Sequence, residues 1–195
     1  MSVRLATWDD IPEILEIYRP YVLETAISFE YTVPTLEAFT ARFQKITAHF
    51  PWLVWEENGQ ILGYAYGSLP FERAAYQWCA QASIYLHPQA RGRGMGKKLY
   101  GVLWELLALQ GYRKVYAVVT TDNDRSVAFH KAMGYRQIAF MPDCGYKFGN
   151  WYGTVWLEKP LLSSEKPGKP PVALGSIVDF DGKLADILAK MSLSF

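Results

Sequence analysis

Arg91-Gly92-Arg93-Gly94-Met95-Gly96 stands between an apolar run at residues 78–86 and a periodic stretch at residues 97–110. The first run reads as a strand ending at His87-Pro88. The second places Leu99, Val102, Leu103, Leu106 and Leu107 at helical spacing and is stopped by Gly111. Glycines between a strand and a helix let backbone N–H groups converge on an anion without obstruction by Cβ. The helix N-terminus adds unpaired N–H groups and the positive end of its dipole. Arg91, Arg93, Lys97 and Lys98 add charge. The stretch therefore reads as a pyrophosphate site, with an ordinary glycine-rich turn as the alternative. No Gly-Lys-Ser/Thr follows, which excludes a P-loop, and the register Gly92-x-Gly94-x-Gly96 is not a dinucleotide fingerprint.

Outward from this point, strands and helices mix. Residues 3–6 read as a strand, and Thr7 and Asp10 have the spacing of a capping box. Ile11, Ile14, Leu15, Tyr18 and Val22 then share one helical face, and Leu36, Phe39, Phe43 and Ile46 form the stripe of a second helix. Residues 25–33, between these helices, are apolar and aperiodic, as in core packing or the wall of a pocket. Asn58-Gly59 joins strands at residues 52–55 and 60–68 in a hairpin. Residues 114–120 form a β-branched strand, and Asp122-Asn123-Asp124 opens a helix that Gly134 stops. Further strands are expected at residues 135–140 and 154–157, with residues 141–151 between them as loop or irregular strand. The order implies one α/β or α+β domain over residues 1–160. Residues 161–195 read as a proline-rich linker (163–171) and a C-terminal appendage, with an amphipathic helix at residues 179–191.

Composition excludes several classes. The chain has 195 residues, half of them apolar, which is enough for a substantial core. A formal net charge of +1 gives no electrostatic reason to expect nucleic acid or a membrane surface as partner. No apolar run reaches the length of a spanning helix, and the first ten residues turn acidic, unlike a signal peptide. Cys79 and Cys144 make neither a disulfide framework nor a metal quartet, so no metal and a reducing, cytoplasmic setting are expected.

Arg91-x-x-Gly94-x-Gly96 after a strand and before a helix resembles the acetyl-CoA loop of the GNAT N-acetyltransferases. The segment from Asn123-Asp124-Arg125-Ser126 to Gly134-Tyr135 is similar to that family's second signature, an asparagine opening a helix that closes with glycine and an aromatic. Phe50-Pro51-Trp52, Ala75-Tyr76-x-Trp78, Gln110-Gly111-Tyr112 and residues 145–151 resemble the phosphinothricin and methionine sulfoximine acetyltransferases more narrowly. The resemblance implies a GNAT fold, a single mixed and mostly antiparallel sheet flanked by helices, with two strands splayed at the acetyl-CoA site. It implies acetyl-CoA as co-substrate, direct N-acetylation of a small amine of phosphinothricin, methionine sulfoximine or methionine sulfone type, and a homodimer. A different amine (a polyamine, peptide or antibiotic) or a non-catalytic acyl-CoA sensor are the alternatives.

Carried over to these residues, the resemblance assigns the cofactor to Ile84, Tyr85, Leu86, Arg91, Gly92, Arg93, Gly94, Met95, Gly96, Lys97, Asn123 and Ser126. A backbone N–H of the strand at residues 83–86 would polarise the thioester carbonyl. His130 lies seven positions after Asn123, where the family places its proton donor, and its ordinary pKa suits proton transfer near neutral pH. A surface or capping histidine is the plainer reading. Gln81 stands where the narrower group carries a glutamate often proposed as base; glutamine cannot accept a proton, so His130, Glu72 or Glu30 would take that role. Arg73 and Tyr76 match substrate-anion positions of that group, Arg73 as a carboxylate clamp. Lys147 and Asn150 lie in a glycine-flanked loop that would close the pocket, and Phe29 and Tyr31 would supply an aromatic wall, with surface charge or core packing as the alternative for each.

Overall fold

Thr7 and Asp10 make the expected cap: the Thr7 N–H donates to the Asp10 carboxylate at 2.7 Å, and Arg4 grips the same carboxylate at 2.6 and 2.9 Å. They tie β1 (Ser2–Leu5) to a 3₁₀ turn at Trp8–Asp10 and to α1 (Ile11–Leu23). A computed structural model describes residues 2–90, 92–163 and 168–193 of the chain. α2 (Leu36–Thr47) follows, capped by Thr35, whose hydroxyl accepts from the Ala38 N–H. β2 (Trp52–Glu57) and β3 (Gln60–Ser68) meet at the Asn58-Gly59 turn. Then come β4 (Cys79–Leu86), α3 (Met95–Gln110), β5 (Lys114–Thr120), α4 (Asp124–Ala132), β6 (Arg136–Lys147), β7 (Asn150–Pro160) and α5 (Phe180–Leu193).

The seven strands form one sheet in the order β1-β2-β3-β4-β5-β7-β6. Every pair is antiparallel except β4 with β5. Both faces of its centre are covered, so β2 reads as a continuous apolar run rather than an alternation. Trp52 and Val54 join Ile14, Tyr18, Phe39 and Phe43 beneath α1 and α2. Leu53 and Trp55 point the other way, into a core with Val115, Ala117, Leu157 and α3. Leu99, Leu103, Leu106 and Leu107 of α3 are fully buried there. Each contributes about 1.5–3 kcal/mol by its burial.

Two expectations gain detail in the C-terminal half. Of the two readings for residues 141–151 the structure shows the irregular strand: apart from the turn at Phe148-Gly149, they complete a long hairpin, β6 with β7, paired from Arg136↔Glu158 to Lys147↔Asn150. The periodicity is hidden because β6 is the sheet edge, exposed along nearly its whole length, and its register slips twice, at Gln137/Ala139 and Met141/Gly145. An edge strand with bulges needs no apolar alternation and tolerates Pro142. The second concerns the tail, whose expected amphipathic helix is α5. α5 packs on α3 through Phe180, Leu184 and Ile187, and the Met191 sulfur lies against Gly101. Ahead of it, Val172 and Gln110 exchange hydrogen bonds at 3.0 and 2.8 Å, and Trp78 Nε1 donates to the Lys169 carbonyl. The middle of the expected linker, residues 164–167, lies outside the described residues.

Candidate active site

The parallel pairing of β4 and β5 lasts three rungs, Cys79↔Lys114, Ala80↔Val115 and Gln81↔Tyr116. Beyond Gln81 the strands separate, and residues 82–86 and 117–120 face each other across a cavity of about 780 Å³. Backbone alternation fixes what the opened edge offers. The His87 N–H donates to Leu62 on β3, so the N–H and C=O of Leu86 and Ile84 aim at the β5 side. Those of Leu86 are taken by Tyr21 of α1, whose hydroxyl donates to the Leu86 carbonyl at 2.6 Å and accepts from its N–H at 3.2 Å. Ile84 is left with no strand opposite it.

The glycine loop closes one end of this cavity. Gly94 precedes α3 with φ +77°, a left-handed conformation that a β-branched residue resists. A Cβ at Gly92 or Gly94 would meet nothing within 4 Å, so the backbone faces open space. Such a loop ahead of a 16-residue helix fits a diphosphate, with the first-turn N–H groups of α3 as donors. Met95, Gly96 and Lys97 line the cavity beside it. Arg93 does not: its guanidinium grips the Glu57 carboxylate at 2.8 Å, which draws it to the β2–β3 hairpin. Arg91 lies outside the described residues. Arg125 is on the wall instead, a cation inside the Asn123–Ser126 motif that the sequence reading did not assign to the site.

Across the cavity, Asn123 caps α4, its Oδ1 accepting from the Ser126 N–H at 3.2 Å. One turn later His130 is 3% exposed. Its Nδ1 donates to the Ser126 carbonyl at 2.7 Å, which makes Nε2 the accepting nitrogen, and Nε2 receives the Tyr100 hydroxyl at 3.0 Å. Phe129, Tyr100 and Tyr135 enclose the ring. Burial pushes the imidazole below its usual pKa, with the Ser126 bond opposing, so the ring is neutral near pH 7. Burial also holds Tyr100 well above its usual value. His130 is thus neither a surface residue nor a helix cap. Tyr100 was missed because it reads as one more core position of α3.

Gln81 lies outside the cavity wall, on the last paired rung. Ala80 and Ala82 are in the core under α3, so Gln81, Ser83 and Tyr85 project to the opposite face, where Tyr85 meets Tyr18 and Tyr21 of α1. Gln81 and His130 therefore flank the split sheet from opposite sides. On the Gln81 side the loop carrying Arg73 and Tyr76 is anchored by Phe71, whose ring is 4.6 Å from Tyr76 and packs on Tyr116 and Trp156. Arg73 and Tyr76 are exposed and do not reach the cavity wall. Phe29 is half-buried against Gly145. Asn150 sits at the β6–β7 turn and bonds the Phe148 carbonyl.

Lys147 requires a correction. It is 1% exposed, and its ammonium donates to the carbonyls of Val22, Thr25 and Ser28 at 2.7, 2.8 and 2.6 Å. Its three protons are spent, so it has none to offer a substrate. Among the described residues no group of three or more His, Cys, Asp or Glu side chains is placed to hold a metal, and no helix is long and apolar enough to cross a membrane.

Comparison with known proteins agrees with this geometry. The acetyltransferase (GNAT) domain matches residues 3–156. The phosphinothricin N-acetyltransferase of Alcaligenes faecalis is 35% identical, over 84% of this chain and 84% of its own. The L-methionine sulfoximine/L-methionine sulfone acetyltransferase of Salmonella typhimurium is 31% identical, over 86% of this chain and 98% of its own. Among solved structures, a phosphinothricin acetyltransferase from Sinorhizobium meliloti in complex with AcCoA superposes with a TM-score of 0.83 at 35% identity, over 87% of this chain and 94% of that one. With the domain spanning most of the chain and relatives alike along most of their own lengths, the chain belongs to the GNAT acetyltransferase family.

Proposed function

We propose that this chain is an acetyl-CoA-dependent N-acetyltransferase of small amino-acid-like amines of the phosphinothricin, methionine sulfoximine and methionine sulfone type. The observation that carries the reading is the cavity at the split of β4 and β5, with a glycine cradle at one end and the His130–Tyr100 pair on its wall. The relatives named for those substrates support the amine class. Gly92, Gly94 and the first turn of α3 hold the diphosphate of the co-substrate, with Lys97 adding charge, and the bound thioester supplies the acetyl group. The Ile84 N–H polarises the carbonyl that is attacked.

The two faces divide the proton work. Gln81, on the α1 side, accepts a hydrogen bond from the amine but not its proton. Glu30 is held by Arg42 at 2.6 Å. An amine whose pKa lies well above 7 then loses its proton to water, and activity rises with pH until the amine is neutral. On the α3 and α4 side, His130 starts neutral. The proton that the amine nitrogen sheds on acylation reaches its Nε2 through water, and Nε2 passes a proton to the Tyr100 oxygen as the Tyr100 hydroxyl gives its own to the departing sulfur, so the pair ends as it began, with neutral His130 accepting from Tyr100.

We also infer a homodimer through the β6–β7 hairpin, whose Phe140, Tyr146, Phe148 and Trp151 are each about half or more exposed, a location in the cytoplasm, and an acetyltransferase domain bounded near residue 160. A coenzyme A release screen tests the function, offering acetyl-CoA with L-phosphinothricin, methionine sulfoximine, methionine sulfone, a polyamine and a peptide. Release with the first three supports the reading; release only with the others, or with none, overturns it.

A further inference from the structure

We propose that Lys147 is a positioning residue, a latch that fixes the amine-side wall of the cavity by holding the end of α1 and the following loop onto the β6–β7 hairpin. The proposal rests on the function above only for which substrate enters there. A lysine ammonium buried with no carboxylate bonded to it is costly unless all three protons find acceptors; Glu30 acts on this one through space only. Here all three go to backbone carbonyls of one short segment, Val22, Thr25 and Ser28. Val22 lies in the last turn of α1, where carbonyls lack helical partners and a cation is favoured. Lys147 thus ends a helix from a strand 119 to 125 residues away.

The three carbonyls bracket the parts of this segment that meet the cavity. Tyr21 and Ile27 line it; Tyr21 directly precedes Val22, and Ile27 lies between Thr25 and Ser28. Tyr21 also holds the Leu86 backbone at the opened edge of β4. Two further contacts join the same surfaces without touching the cavity. The Tyr31 hydroxyl donates to the Tyr146 carbonyl, and the Phe29 ring occupies the place a Cβ on Gly145 would take. Among the described residues, the Lys147 ammonium hydrogen-bonds to Val22, Thr25 and Ser28 and not to the glycine loop or α4, so the latch should act on the amine and not on the co-substrate.

The test is Lys147→Met in the full chain, which keeps the stem and removes the charge. The Kd for acetyl-CoA, measured by calorimetry, should stay within about twofold. With L-phosphinothricin or methionine sulfone as acceptor, KM should rise about tenfold or more and kcat should change far less, because three buried carbonyls lose their donors. Amide hydrogen exchange should accelerate at residues 22–31 and not in α3 or α4. Equal loss of acetyl-CoA affinity, or unchanged exchange at residues 22–31, overturns the latch. If Lys147→Met does not fold, Tyr31→Phe and Gly145→Ala carry the same readouts: faster exchange confined to residues 22–31 supports the proposal and unchanged exchange in both overturns it. A wild type that acetylates neither acceptor fails the proposed function, while the exchange experiment still decides the latch.

Discussion

The two ends of the cavity are built from different materials. The co-substrate end is mostly backbone: a glycine at positive φ, a helix N-terminus, and a strand edge that lost its neighbour after three rungs. The amine end is mostly side chains recruited across the molecule: Lys147 and Tyr31 bridging hairpin and loop, and Phe71 packed on Trp156. A backbone site is fixed by local sequence, because the glycines and the asparagine cap act within a few residues. A side-chain site depends on which distant segments happen to meet.

The sharpest way to break this contrast is at His130, a side chain on which the backbone end is proposed to rely for its proton. His130→Ala should lower kcat by about 10²–10⁴, the usual share of a positioned acid or base. Retention of more than about half of kcat across pH 6–9 removes His130 from the proton path. Next in size is Gly94→Val. A β-branched residue at φ +77° resists the left-handed conformation by about 1–2 kcal/mol and deforms the cradle, so acetyl-CoA affinity should fall about tenfold. Calorimetry on a variant with unchanged circular dichroism checks it, and undiminished affinity means that the loop is not the diphosphate site.

On the amine side a smaller response is expected from Gln81→Glu. It should alter the ranking of acceptors in the release screen, with kcat for the best acceptor changing by less than the about hundredfold that marks a positioned base. A larger gain makes the missing carboxylate essential. The smallest effect is on stability. His130 is buried with its pKa below the ordinary value, so the unfolded chain binds the proton more readily. Its contribution is complete above about pH 6.5 and is lost as pH falls from there toward the depressed folded value. The midpoint of thermal unfolding of the apoprotein should drop by a few degrees between about pH 7 and pH 5, and by less in His130→Gln. Identical pH slopes in the two proteins contradict the burial of a neutral imidazole.

This contrast also explains what the sequence could show. The cradle and the buried faces of α1, α2, α3 and α5 are periodic or local features, and they were legible; the splitting of β4 from β5 is implied by the family resemblance alone. Arg93 was misread because charge says nothing about direction; Glu57 across a hairpin captures it. Lys147 was misread for the same reason at a longer range, its partners being 119 to 125 residues away. Both arms of the β6–β7 hairpin are expected at residues 135–140 and 154–157, but its far end, residues 141–151, reads as loop or irregular strand because an exposed, twice-bulged edge has no apolar alternation to detect. Tyr100 gave no signal, since a tyrosine in a core stripe looks the same whether or not its hydroxyl meets a histidine.

The strand order has a consequence for how the molecule is made. β1 to β4 are neighbours in both sequence and space, so this half of the sheet can assemble by local pairing as it leaves the ribosome. β6 cannot follow in turn. Its seat on the sheet is against β7, which is synthesised after it and inserts between β5 and β6. A nascent chain stopped short of residue 150 therefore has a β6 with nowhere to pair, and the segment at residues 22–28 waits for a lysine that translation has already supplied but folding has not yet delivered.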